Sequence, residues 1–136
     1  MLMRLTAVFV GGLFGTALRW SADALFAEPN DAFPFSTLLV NIVGSFVLAV
    51  LVGSLWVKRG VPDWLRAGLG AGVLGSFTTF SALASALVVQ AASGQIALAL
   101  TYLLASLVLG LSAAFLGIRV GHRVGRGAER SDWSTE

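Results

Sequence analysis

The chain has 136 residues, 57% of them hydrophobic and only 12% charged, with a mean hydropathy of +0.86. Soluble domains average about 25% charged residues, so the composition excludes an ordinary soluble domain and points to a bilayer. The formal charge is +2 and there is no cysteine, which removes disulfides and thiolate metal sites. The basic residues gather at the ends of apolar runs, not on an exposed face of the kind that binds nucleic acid.

A membrane-spanning helix needs about 20 mostly apolar residues. Four segments qualify: residues 5–25, 35–57, 64–89 and 96–120. The first follows Arg4 and has the look of a secretory signal. Arg19 and Trp20 stand where a cleavage region would lie and three more spans follow, so it reads as a retained helix. The second span carries one carboxamide, Asn41, with Gly44 and Ser45 on the same helical face. An unpartnered amide is costly in an apolar setting, so Asn41 faces another helix or a wet cavity. Two readings stand at this point: an asparagine that glues helices, worth about 0.6–2 kcal/mol, or part of a polar site.

Residues 67–118 carry no charged side chain. Within them, Gly68 and Gly72 have the spacing of close helix packing. Then comes Gly75-Ser76-Phe77-Thr78-Thr79-Phe80-Ser81. Glycine and hydroxyl residues together weaken a helix. A break at membrane depth would leave carbonyls and amides for protein, water or an ion to satisfy. The alternative is an unbroken helix whose hydroxyls bond back to the preceding turn. Composition leaves the two level.

The connections are short and turn-forming: Glu28-Pro29-Asn30-Asp31, residues 58–63 and residues 92–95. Trp20, Trp56 and Trp64 sit near span ends, as interfacial anchors do. The organisation is one four-span membrane domain over residues 1–125 and a flexible tail over 126–136. Four spans place Arg4, Lys58, Arg59, Arg66, Arg119, Arg123, Arg126 and Arg130 on one side, opposite Asp23, Glu28 and Asp31. The positive-inside rule then puts both termini in the cytoplasm.

Three segments together resemble the CrcB/Fluc fluoride channels. They are the glycine-rich Gly11–Trp20 run, the Asn41-Ile42-Val43-Gly44-Ser45-Phe46 motif, and Gly72 through Ser81. Each alone is weak, but the three in order are specific. The resemblance implies an all-α membrane protein of four transmembrane helices, the third broken near its middle, in an antiparallel dimer of the dual-topology type. It implies passive export of fluoride across the cytoplasmic membrane through two pores. It also implies a structural sodium ion at the dimer centre, held by backbone carbonyls at positions matched by Gly75 and Thr78. Asn41 matches the pore asparagine and Phe80 the first of two pore phenylalanines. Tyr102 and Ser106 match the tyrosine and hydroxyl track of the fourth helix.

Physical chemistry agrees with those roles. Fluoride is small and strongly hydrated, so a pore must replace its water with donors. Asn41 offers an amide, and Ser81 and Ser106 offer hydroxyls. A phenylalanine ring presents a positive edge to an anion. A full positive charge at the narrowest point would hold the ion too tightly, which puts Arg19 at a pore mouth or in a structural pair. One position departs from the family pattern: Leu83 stands where the second pore phenylalanine is expected. A leucine has no such edge. With the one-sided basic residues, Leu83 suggests a partly conducting subunit that pairs with an oppositely oriented paralogue, beside the plainer homodimer.

Other classes fit less well. A small multidrug-type transporter needs a membrane-buried carboxylate, and Asp23 and Glu28 lie outside the apolar centre of the first span. An enzyme is not expected, because the sole histidine, His122, lies in the basic tail and no buried acid–base set accompanies the serines.

Overall fold

The structure, a computed structural model, describes residues 1–26, 32–58 and 60–132, with side chains through Gly125. The turn at Glu28, Pro29, Asn30 and Asp31, Arg59, the side chains of Arg126 and Arg130, and the residues beyond 132 lie outside that description. Of the flexible tail expected over 126–136, the backbone through Asp132 continues the last helix, and the rest lies outside that description.

The described residues form helices and no strand: α1 (Leu2–Leu25), α2 (Phe35–Ser54), α3 (Asp63–Ala67), a π-helical segment (Gly68–Leu74), α4 (Gly75–Phe77), α5 (Phe80–Ala92) and α6 (Ile96–Asp132). Four stretches are long and apolar enough to cross a bilayer: Leu2–Leu25, Phe35–Ser54, Asp63–Ala92 and Ile96–Gly125. The chain is an all-α membrane protein with four spans. Its surface is apolar, with Phe9, Phe14, Leu104 and Leu111 all more than half exposed, as suits helices that face lipid or another subunit.

Absent side chains set how closely the spans approach. Gly11 lies against the Gly68 carbonyl, and Gly15 against Val73. A Cβ at Gly72 would come within 2.9 Å of the Val8 carbonyl oxygen. These contacts advance in step, so α1 and the third span run parallel with their backbones touching. A second pair forms the same way. A Cβ at Gly117 would meet Ala49 Cβ at 2.8 Å, and one at Gly121 would meet the Val50 carbonyl oxygen at 2.6 Å. Hence α2 and α6 also run parallel. Small residues that permit such approach are the usual means of packing helices in a bilayer, where lipid removes the hydrophobic drive.

This register brings Arg4, Lys58, Arg66, Arg119 and Arg123 to one end of the bundle. It also brings the middle of the third span beside the middle of α2, where the helix stops.

Two departures from α-geometry follow one another in the third span. Gly68–Leu74 is wound as a π-helix, with i→i+5 bonds. After Phe77 the chain leaves the helix altogether. Thr78 (φ −77°, ψ 154°) and Thr79 (φ −146°, ψ 122°) are extended, and the helix restarts at Phe80. The broken third helix is the arrangement found.

Replacing Gly15 with alanine pushes a methyl into the Val73 backbone. Overpacking of this kind costs about 1–3 kcal/mol, so thermal unfolding in detergent should show a clear loss of stability. Gly60→Ala, where a Cβ has nothing within 4 Å, should leave the midpoint unchanged.

Candidate functional site

The break would strand polar groups in an apolar environment, and one side chain prevents that. Asn41 Nδ2 donates to the Thr79 carbonyl at 2.9 Å, and Thr79 N–H donates to Asn41 Oδ1 at 2.8 Å. The carboxamide thus satisfies both backbone groups of one residue, as a neighbouring strand would. This fixes the amide orientation and leaves the second Nδ2 hydrogen uncommitted. The gluing role and the polar-site role of Asn41 are therefore one arrangement.

Local chemistry completes the turn. Thr78 Oγ1 donates back to the Leu74 carbonyl at 2.9 Å. Its methyl occupies the space over Gly44, where any Cβ would collide with it. Thr79 Oγ1 caps α5, accepting from Ala82 N–H at 3.2 Å, and contacts Ser81 Oγ at 3.1 Å. Threonine at an N-cap is a common helix start.

These diversions free two carbonyls. Thr79 N–H would close the helical turn onto Gly75, and Ala82 N–H would close one onto Thr78. Both are used elsewhere, and no hydrogen bond among the described residues reaches either carbonyl. Gly75 and Thr78 are the positions the family resemblance marks for a cation.

A cavity of about 320 Å³ lies beside the break, and Asn41, Ser45, Gly75, Thr78, Phe80 and Leu83 are among its walls. Of the expected site residues, the fold brings Asn41, Gly75, Thr78 and Phe80 together here. Phe80 is 81% exposed, so its ring stands free at the edge of the chain. Ser81 is adjacent, through its contact with Thr79. Leu83 faces the same space as Phe80.

Tyr102 and Ser106 lie elsewhere. Four residues apart, they share one face of α6. The α2–α6 register puts Ser112 level with Asn41, so Ser106 sits about 9 Å further from the basic end at 1.5 Å per residue. Ser106 Oγ is buried with no hydrogen-bond partner. Tyr102 is fully buried, its ring edge-on to Phe33 at 5.4 Å. Arg19 continues the Gly11–Gly15 row by one turn, toward the level of the break. It has no ion pair or hydrogen bond among the described residues.

A family model described as CrcB-like protein, Camphor Resistance (CrcB), matches residues 6–118. The chain belongs to the CrcB family. That match takes in all four spans and every group just described. The chain is 45% identical over 119 residues to the fluoride-specific ion channel FluC of Novosphingobium aromaticivorans, covering 83% of this chain and 91% of that protein. It is 40% identical to FluC of Thermus thermophilus, covering 87% and 94%. It is 41% identical to FluC 2 of Brucella abortus, again covering 87% and 94%.

Thr79 is the CrcB-chain residue that sequence reasoning passed over. It supplies the clamp's backbone partner, the cap of α5 and a hydroxyl neighbour for Ser81. Its one visible signal was the N-cap preference of threonine.

Thr79→Val removes the cap and should cost about 1 kcal/mol, with faster amide exchange at Ala82. Thr79→Ser should restore both.

Proposed function

We propose that this chain is a subunit of a passive fluoride-selective channel in the cytoplasmic membrane, letting fluoride leave the cell. The observation that carries the reading is the Asn41–Thr79 clamp at a helix break inside an apolar span, with a cavity beside it. FluC relatives at this level of identity supply the ion.

The geometry suits a dehydrated halide. Asn41 keeps one N–H to donate, Ser81 and Ser106 carry hydroxyls, and Tyr102 belongs to the same track. Phe80 offers a ring edge from an exposed position. None of these groups carries a full charge, so an ion that enters can leave. Arg19 stands off the cavity, at a mouth or in a structural role.

The subunit works as an antiparallel dimer with two pores. Support comes from the apolar outer faces and from Phe80, whose exposed ring needs a second surface to enclose an ion path. A structural sodium ion sits at the dimer centre. The freed carbonyls of Gly75 and Thr78 suit it, because hard cations take oxygen ligands. When bound, the ion offsets the carbonyl dipoles left by the break and ties two breaks together. In a subunit of fixed orientation both termini lie in the cytoplasm, the side that the basic residues gathered at one end favour.

A second reading has a specific basis. A subunit that inserts both ways should show little Lys/Arg asymmetry, and eight of the nine basic residues here fall on one side. Leu83 also lines the cavity where a ring is expected. Together these favour pairing with an oppositely oriented paralogue, in which one pore is impaired.

The test is efflux from vesicles containing only the purified chain, read with a fluoride electrode and with chloride as control. The channel reading expects rapid fluoride loss and no chloride loss. Silence toward fluoride from the chain alone and from the chain co-purified with a paralogue overturns it. Flux from the chain alone favours the homodimer, and Leu83→Phe should then raise it.

A further inference from the structure

The last helix has two opposite faces of different character. Toward α2 it presents Ala113, Gly117, Gly121 and Gly125, all buried. On the far side stand Leu104, Val108, Leu111 and Phe115, each more than half exposed, and then Arg119 and Arg123, also exposed. At about 3.6 residues per turn, this outward row stays within about 60° of the direction opposite Gly117. Among the described residues α6 packs against α2 and α5 alone, so no other helix of the subunit covers the row.

The row changes from apolar to basic within one turn. Arg119 is the first charged residue after the uncharged stretch 67–118, so the change marks where α6 leaves the hydrocarbon. The headgroup layer is about 5–7 Å deep on each side of a bilayer, and Arg119 and Arg123 are separated by about 6 Å of helix rise. Both therefore lie at headgroup depth. Arg126 and Arg130 follow at positions of the same row, on a helix that continues through Asp132. They come about 11 Å and about 17 Å beyond Arg119, past that layer in an upright helix.

Arg119 does not reach away from the apolar stripe. Its guanidinium carbon lies over the Phe115 ring, 4.3 Å from the centroid, because side chains on a helix lean toward the preceding turn. Stacking on the ring face holds the guanidinium fork and leaves its N–H edges free to donate. Neither Arg119 nor Arg123 has an ion pair or hydrogen bond among the described residues. A fork held above an open apolar stripe matches a molecule with a phosphate at one end and acyl chains at the other.

We propose that the outward row of α6 holds one anionic phospholipid, its phosphate on Arg119 and Arg123 and its acyl chains along Phe115, Leu111 and Val108. Arginine takes phosphate through paired N–H groups, and two arginines together select an anionic headgroup over a zwitterionic one. The stripe assigns the phosphate to a lipid, since a free phosphate would leave it unused. The site lies apart from the Asn41 cavity and does not depend on which ion the chain passes.

Native mass spectrometry of the full-length chain, released from detergent with equal amounts of phosphatidylglycerol and phosphatidylcholine of the same acyl chains, reads the site. The phosphatidylglycerol adduct should dominate by about thirtyfold. Arg119→Gln combined with Arg123→Gln should abolish that preference. Arg4→Gln removes a basic residue at the same end of the bundle but outside the row, and should keep it. Phe115→Leu keeps the stripe and loses the ring, so the preference should fall several-fold. Excess glycerol phosphate should leave the adduct in place. Equal adducts of the two lipids on the unaltered chain, or an equal loss in Arg4→Gln, overturns the proposal. So does displacement by glycerol phosphate, which would make this a phosphate site alone. Dissociation of the dimer in the double variant with the lipid preference intact would give the row to a partner subunit and overturn it as well.

Discussion

In a bilayer core, every backbone polar group must find a partner within the protein. The third span breaks that continuity at Thr78 and Thr79, and a single carboxamide from α2 makes the break tolerable. Asn41 accepts from the Thr79 amide and donates to its carbonyl. Gly44, one turn along the same face, leaves room for the Thr78 methyl. Without the clamp, both Thr79 groups would lie unpaired in an apolar setting, at about 1–3 kcal/mol each. The helix would then gain by closing and the cavity would lose its wall.

The clamp also sorts charge without using any. Diverting two N–H groups leaves the Gly75 and Thr78 carbonyls as acceptors, a setting for a cation. The remaining Asn41 hydrogen and nearby hydroxyls are donors, a setting for an anion. Opposite preferences thus arise within one turn of chain from neutral groups alone. Full charges stay out of the cavity: Arg4 and Arg66 lie at the basic end, and Arg19 is on the neighbouring helix and not among the cavity walls. A conduit for a tightly hydrated anion needs such partial charges, since a buried full charge would bind the ion and stop it.

Much of this was legible in the sequence. Hydropathy found the four spans, and residues 96–120 match the start of α6. Hydropathy alone runs the second span to residue 57, whereas α2 ends at Ser54, because apolarity continues through Leu55–Val57 after the helix has ended. The glycine–threonine cluster flagged a break without locating it. The choice of Thr78 and Thr79 depends on Asn41, 38 positions away, and local propensity holds no trace of that partner. Trp56 read as an interfacial anchor, yet its ring turns onto Gly70. That contact joins two spans and becomes visible only once their register is known. Tyr102 and Ser106 match a fourth-helix track by resemblance alone, and their distance from Asn41 along the bundle axis becomes visible only with the helix register.

The most direct measurement is fluoride efflux from vesicles carrying Asn41→Asp beside vesicles carrying the unaltered chain, with dimer size checked for both. The aspartate replaces the donor facing the Thr79 carbonyl with an oxygen and sets a negative charge beside the cavity. The account expects intact dimers and no fluoride flux. Intact dimers conducting fluoride at the unaltered rate would contradict it.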